Sequence, residues 1–202
     1  VLATAAGTAA SPALTASALS AIGITGVTAD NLAAIVAAIA ATADNGTGVD
    51  TLAELQAVVS AAAAAYTSAI NTLKVYDGTQ AAPALSVYAD AGVSDVSSAN
   101  VAAINAALAV LDVAHTDTAA EIQAVVTAYD KILAEANGVA ADATPGSNPV
   151  AATYAAIGAV TAAAMPNGSA AQTLLNDVVA NALPSAVDTV PEIEALAAAV
   201  RA

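Results

Sequence analysis

Apolar residues recur along this chain with the period of a helix, in stripes separated by short polar breaks. Leu32, Ile35, Val36 and Ile39 follow an i, i+3, i+4, i+7 spacing, and Val101, Ile104, Leu108 and Leu111 form a counterpart. A further stripe runs through Leu52, Leu55, Val58 and Val59. It returns as Ile122, Val125, Val126, Tyr129, Ile132 and Leu133, and again as Ile193, Leu196 and Val200. No convincing period-two alternation of the strand type is present. The pattern predicts an all-helical chain.

The last of these stripes opens on a segment that recurs. Ten residues from Thr51 (TLAELQAVVS) return from Thr118 (TAAEIQAVVT) and, more loosely, from Thr189 (TVPEIEALAA); the starts lie 67 and 71 residues apart. Thr51-x-x-Glu54, Thr118-x-x-Glu121 and Thr189-x-x-Glu192 are capping-box patterns. The Thr hydroxyl accepts from the backbone three residues on, and the Glu carboxylate returns to the Thr N–H. Asp50, Asp117 and Asp188 add negative charge near the positive end of each helix dipole. A repeat of this length points to an array rather than to one central site.

Upstream of each box the same punctuation returns. Pro12, Pro83 and Pro149 are expected just inside a first helix, over residues 12–21, 83–91 and 149–157, with Ser11 and Asn148 as N-caps. Tyr88 and Tyr154 stand five residues after their prolines, and Gly92 and Gly158 nine after, where a helix C-cap glycine belongs. Gly23 takes that place in the first copy. Gly23, Val27 and Asn31 match Gly92, Val96 and Asn100 in spacing, with Thr28 and Ser97 as N-cap types for a second helix. The third copy departs here: Met165-Pro-Asn-Gly-Ser169 breaks the chain before a helix at residues 170–181. Loops at 44–50 and 181–188 separate second from third helices, and linkers fall at 77–82 and 137–148.

The expected architecture is three tandem three-helix bundles in an elongated array. Residues 1–10 read as the tail of a preceding repeat or a linker. Residues 11–80 and 81–147 are the first and second bundles, and 148–202 a degenerate third. Residues 1–10 resemble 133–143, and the third copy stops inside its last helix, so neighbours are expected on both sides.

Composition sharpens this picture. Hydrophobic residues make up 58% of the 202 and are mostly alanine; Phe, Trp and Cys are missing, and Met165 is the single methionine. Alanine favours helices and lets their axes approach closely, but gives thin cores. Seventeen acids against Lys74, Lys131 and Arg201 leave a net charge of −14. That charge excludes nucleic-acid binding, which needs a basic footprint, and argues against anionic lipid surfaces. It is better tolerated where salt or divalent ions screen it, as in a saline exterior. The lack of cysteine removes disulfide scaffolds and thiolate chemistry. Mean hydropathy is positive, yet the best apolar run, 150–165, is too short and too rich in alanine to span a bilayer. No signal peptide is visible.

Candidate chemistry is sparse. The one imidazole, His115, sits in a loop before Asp117 with no matched nucleophile. Glu192 and Glu194 are two residues apart and point to different faces, as a cap and a solvated charge rather than an acid/base pair. No phosphate loop, dinucleotide fingerprint or histidine cluster occurs. No enzyme activity and no cofactor are expected. The strongest metal candidates are Asp44 and Asp50 in an oxygen-rich loop, suited to weak calcium binding but without EF-hand spacing. The recurring Tyr88 and Tyr154 read as structural, with rings on the core edge and hydroxyls on a backbone carbonyl or water.

Pro-x-x-x-x-Tyr-x-x-x-Gly, then Asn in the second helix, then Asp-Thr-x-x-Glu-Ile-Gln, resembles the GA-like repeats of very large bacterial surface and adhesin proteins. The second copy carries the match best, through Pro83, Tyr88, Gly92, Asn100, Asp117, Thr118, Glu121, Ile122 and Gln123. The resemblance implies tandem three-helix bundles, exported and displayed at the bacterial cell surface. No albumin-contacting motif maps onto these residues. The first expectation is therefore a non-catalytic structural spacer and interaction segment of an extracellular adhesin. The alternatives are a self-assembling subunit of a filament or surface layer, and a host-protein binding module. Expected partners are neighbouring repeats, copies of the chain, or a surface protein ligand, without membrane insertion.

Overall fold

The computed structural model describes residues 1–5, 13–42, 48–139 and 148–202. The chain is all-α: among the described residues there is no strand. In chain order the helices are α1 (Leu2–Ala5), α2 (Ala16–Ala21), α3 (Leu32–Ala40), α4 (Leu52–Lys74), α5 (Leu85–Asp90), α6 (Val101–Leu108), α7 (Ala119–Glu135), α8 (Ala151–Ala156), α9 (Val160–Ala163), α10 (Ala170–Asn181) and α11 (Val190–Arg201). Short 3₁₀ turns at Val113–His115 and Pro184–Ala186 precede α7 and α11.

Lengths follow sequence chemistry. α4, at 23 residues, begins on a complete capping box, runs through the alanines of its middle and ends with Lys74 in its last turn. α2, α5 and α8 are each only 6 residues. Each ends on a tight turn into a glycine with positive φ: Gly23 (88°), Gly92 (71°) and Gly158 (81°). After it, Ile24, Val93 and Ala159 donate their N–H groups back to Leu19, Tyr88 and Tyr154. Helices this short hold only by packing.

The starts of these first helices differ from expectation. Pro83 and Pro149 lie before the N-caps Ala84 and Val150, not inside the helix. In α2 the N-cap is Thr15, whose hydroxyl accepts from the Ala18 N–H at 3.1 Å. Pro12 and Ser11 lie outside the described residues. Asn148 is not a cap. Instead the carbonyls of Pro83 and Pro149 accept side-chain hydrogen bonds from the second helices, described below.

Buried side chains form two clusters. The first holds Ala5, Leu19, Ile24, Ile35, Ile39, Val49, Leu55 and Val59. The second runs without interruption from Ala69 to Ala197, through Tyr88, Ile104, Ile122, Tyr129, Tyr154, Ile157, Leu175 and Ile193. Helix α4 therefore serves both: Leu55 and Val59 face the first cluster, and Ala69, Ile70 and Leu73 the second. It packs on α3 and on α5; α7 packs on α6 and α8 and reaches α10; α11 closes on α9 and α10. The third helix of one repeat thus becomes the floor for the first helix of the next. Leu52, expected on the inner stripe, is 58% exposed.

Candidate functional site

The capping boxes are built from the residues the pattern named. Thr51 Oγ1 accepts from the Glu54 N–H at 3.2 Å, and the Glu54 carboxylate accepts from the Thr51 N–H at 3.0 Å and its hydroxyl at 2.8 Å. Thr118 and Glu121 make the reciprocal pair at 3.2 and 3.1 Å. At the third start the Glu192 carboxylate accepts from the Thr189 N–H at 3.1 Å and from its hydroxyl at 2.7 Å.

Each box sets two carboxyl groups side by side. Asp50 is raised above its ordinary value by sharing a hydrogen bond with the Glu54 carboxylate, then by desolvation and by that carboxylate's charge. Glu54 is lowered by the same shared hydrogen bond and by Thr51. Asp117 is raised by the hydrogen bond it shares with Glu121 and then by that group's charge. For Glu121 desolvation pulls upward, but hydrogen bonds from Thr118 and Asp117 outweigh it and leave it lowered. Asp188 is raised first by desolvation and then by the Glu192 charge. At Asp50–Glu54 and Asp117–Glu121 the shared hydrogen bond thus pushes the aspartate up and the glutamate down, which favours negative charge on the glutamate over the helix N-terminus.

Asp44, one of the two calcium candidates, lies outside the described residues. Asp50 faces Glu54, and among the described residues no group of three or more His, Asp or Glu side chains converges to hold an ion. His115 ends the 3₁₀ turn before α7, with its Nδ1 against the Asp112 carboxylate. That pair is 68% and 71% exposed, and Asp112 raises the imidazole by hydrogen bond and by charge.

Gln56 and Gln123 carry no expected role of their own, and with Glu194, each five positions after its capping threonine, they tie together the helices within a repeat. The Gln56 amide accepts from the Thr25 N–H at 2.9 Å and donates to the Thr25 carbonyl at 3.2 Å. The Gln123 amide accepts from the Ser94 N–H at 2.8 Å and donates to the Ser94 carbonyl at 3.4 Å. Each glutamine clamps the turn between the first and second helices onto the third. In the last repeat the position is Glu194, which accepts from Thr161 N–H at 2.8 and 3.1 Å and from Ala162 N–H at 3.4 Å. Glu194 is therefore not a solvated charge. It sits on the first turn of α9, where only donors are offered, and a carboxylate is all acceptor. The signal was the shared offset from Thr51, Thr118 and Thr189.

Asparagines hold the same turns from below. Asn31 and Asn100 are 6% exposed and donate to the carbonyls of Gly26 and Asp95 at 2.9 and 2.8 Å. Asn31 also makes a reciprocal pair with Thr28, accepting from its N–H at 2.8 Å and donating its own N–H to the Thr28 hydroxyl at 3.2 Å. Thr28 and Ser97 thus cap a turn that leads into α3 and α6, three residues ahead of the helix N-caps Asn31 and Asn100.

Tyrosine rings sit deeper than the core edge. Tyr88, Tyr129 and Tyr154 are fully buried. Tyr88 donates to Asn105 Oδ1 at 2.6 Å, and Asn105 Nδ2 donates to the Pro83 carbonyl at 3.2 Å. Tyr154 donates to Asn176 Oδ1 at 2.9 Å, and Asn176 Nδ2 to the Pro149 carbonyl at 3.0 Å. So these hydroxyls meet asparagine side chains rather than backbone carbonyls. The first repeat has Leu19 and Val36 at the corresponding places, exchanging both polar partners together. Tyr129 differs, because its buried hydroxyl has no hydrogen-bond partner among the described residues.

A groove of about 560 Å³ opens along α4 beside Thr67, Asn71, Tyr76 and Gln80. A second, lined by alanines of α3 and α4 with Ala89 and Asp90, has about 270 Å³. No helix among the described residues is long and apolar enough to cross a membrane. No protein-family model, no curated protein and no solved structure matches the chain.

Proposed function

We propose that the chain is a non-catalytic spacer of tandem three-helix repeats, displayed on a bacterial surface adhesin and setting reach between its ends. The observation that supports this reading is one joint rebuilt three times: capping threonine, helix, and a side chain five residues on that clamps the preceding turn. Rebuilding the same internally clamped unit along the chain is what an array of stacked repeats requires. The GA-like resemblance of the second repeat and the charge of −14 favour an extracellular setting.

Two measurements test it. Antibodies raised against the chain should decorate intact cells of its source without permeabilisation; labelling only after permeabilisation would sink the surface reading. Small-angle scattering should give an elongated particle, and a spherical profile would sink the spacer.

A further inference from the structure

Three asparagines stand directly before a glycine: Asn45, Asn137 and Asn167. Asn45 lies outside the described residues. An Asn–Gly pair carries its own chemistry, because no side chain on the glycine blocks approach of its nitrogen to the asparagine Cγ. The N–Cγ bond forms, the Cγ–Nδ2 bond breaks, and ammonia leaves with the backbone amide proton. A cyclic imide remains. Water then opens it on either side, giving aspartate or an isoaspartate whose main chain runs through the former side chain.

The reaction needs two freedoms. The glycine N–H must be released, and the asparagine carboxamide must turn toward it. At Asn167 one side chain withholds both. Gln172, in the first turn of α10, is 4% exposed. Its Oε1 accepts from the Gly168 N–H at 2.6 Å, and its Nε2 donates to Asn167 Oδ1 at 3.0 Å. The Ala151 N–H of α8 donates to the same Oδ1 at 2.9 Å. Around this latch the pair is open: Asn167 and Gly168 are exposed, and a Cβ on Gly168 would meet nothing within 4 Å. Water therefore has access and ammonia has a way out. Asn137 is guarded differently. The Gly138 N–H donates to the backbone carbonyls of Ala180 and Ala182 at 3.0 and 3.1 Å, so only movement of the end of α10 frees it. A side-chain latch can be removed by itself, whereas a backbone one cannot.

We propose that Asn167–Gly168 is a self-modification site latched by Gln172, where the chain converts its own asparagine to aspartate and isoaspartate whenever the latch opens. Water is the only other reactant. An isoaspartate adds one carbon to the main chain inside the turn that the Ser169 N–H closes on the Pro166 carbonyl at 3.0 Å. Ser169 is also the N-cap of α10, so the modified chain cannot rebuild that helix start as before. Opening of the third repeat is thereby recorded irreversibly. The proposal does not rest on where the chain is displayed, and its failure leaves the spacer reading standing.

Ageing the protein in mildly alkaline buffer, followed by peptide mapping with mass spectrometry, tests it. Folded wild type should keep Asn167, and wild type unfolded in urea should lose it. Gln172→Leu should speed the loss in folded protein on the order of tenfold, since two hydrogen bonds no longer oppose it. Asn137 should age at the wild-type rate in that variant, which shows that the fold persists. Amide hydrogen exchange of the wild type supplies a measurement that does not depend on the variant folding: the Gly168 N–H should exchange far more slowly than in the unfolded chain. Folded wild type that loses Asn167 as fast as the unfolded chain overturns the proposal. So does a Gly168 N–H that exchanges at the unfolded rate, or a folded Gln172→Leu variant that ages no faster than wild type.

Discussion

Removing one hydroxyl from each buried tyrosine should give opposite results, and the sign follows from the partners. In Tyr88→Phe the ring still fills its pocket, but Asn105 Oδ1 loses the donor that stood 2.6 Å away. Asn105 is 7% exposed, so water does not readily replace it. Leaving a buried acceptor unsatisfied costs about 1–3 kcal/mol. For a chain of this size each kcal/mol moves Tm by roughly 2–4 °C. Tyr154→Phe should behave alike, since Asn176 Oδ1 loses a donor at 2.9 Å. Tyr129→Phe removes a hydroxyl that is buried without a partner. Burial and the nearby charges of Asp188 and Glu192 already raise this phenol, so nothing favours its ionised form. Its loss should be neutral or stabilise by up to about 1 kcal/mol, the desolvation that an unpaired hydroxyl carries. Urea denaturation followed by circular dichroism resolves these differences, with an unchanged m-value showing that only stability moved. Replacing Asn105 by Leu together with Tyr88→Phe should cost less than the two single changes added, because the hydroxyl and its amide acceptor leave together and only the Pro83 carbonyl loses a donor. A Tyr129→Phe loss equal to that of Tyr88→Phe would refute the reasoning.

Glycine substitutions separate backbone strain from packing. Gly23→Ala should lose about 1–2 kcal/mol, the cost of a left-handed L-residue, whereas Gly92→Ala should lose clearly more because its Cβ meets the α3 backbone; equal losses in thermal unfolding would deny that contact. Asp95 holds a φ of 64° at the place where the first repeat has Gly26, so Asp95→Gly should raise stability by about 1 kcal/mol, read by urea midpoint, and a fall would show that the Ser94 hydroxyl bond to its carboxylate matters more. The carboxyls at the helix starts should also make stability depend on pH, with opposite signs for aspartate and glutamate. The raised Asp50, Asp117 and Asp188 contribute fully below their ordinary 3.8 and lose that contribution as pH rises through their higher folded values. The lowered Glu54 and Glu121 contribute fully above 4.5 and lose it as pH falls through their depressed values. Because the Asp188 carboxyl is raised, the wild type should gain thermal midpoint relative to Asp188→Asn as pH falls through this range at constant salt, and a difference that does not vary with pH would contradict the raised carboxyl.

Much of the helical layout was readable from the chain because it rests on local rules. Capping threonines at 51, 118 and 189 specify α4, α7 and α11 at their first turns, and glycine with positive φ ends each short first helix. The misplacements came from long-range partners. Pro83 and Pro149 look like helix starters locally, yet their carbonyls are held by Asn105 and Asn176, which pins them outside the helix. Leu52 fits the apolar stripe by spacing, yet no neighbour covers it. Glu194 looks solvated until α9 is placed above it, and nothing in the sequence near 194 announces that helix.

The clamp position shows how a repeat tolerates change without losing its joint. An extended turn offers one N–H and one carbonyl, and an amide side chain answers both, as Gln56 does with Thr25 and Gln123 with Ser94. When the turn winds into α9, the carbonyl is drawn into the helix and two N–H groups face outward. An amide could then use only half of itself, whereas the Glu194 carboxylate accepts from both. The Gln-to-Glu change and the appearance of α9 are thus one structural event. The same logic covers the exchange of Tyr88 and Asn105 for Leu19 and Val36 in the first repeat: a polar pair can be kept or removed, but only as a pair. What persists across the repeats is the satisfaction of the polar groups at these clamps and pairs, while the Tyr129 hydroxyl stays unpaired among the described residues. Residue identity at these positions follows from the local backbone, and this is why the third copy of the ten-residue segment diverges in sequence while its helix still closes on the turn before it.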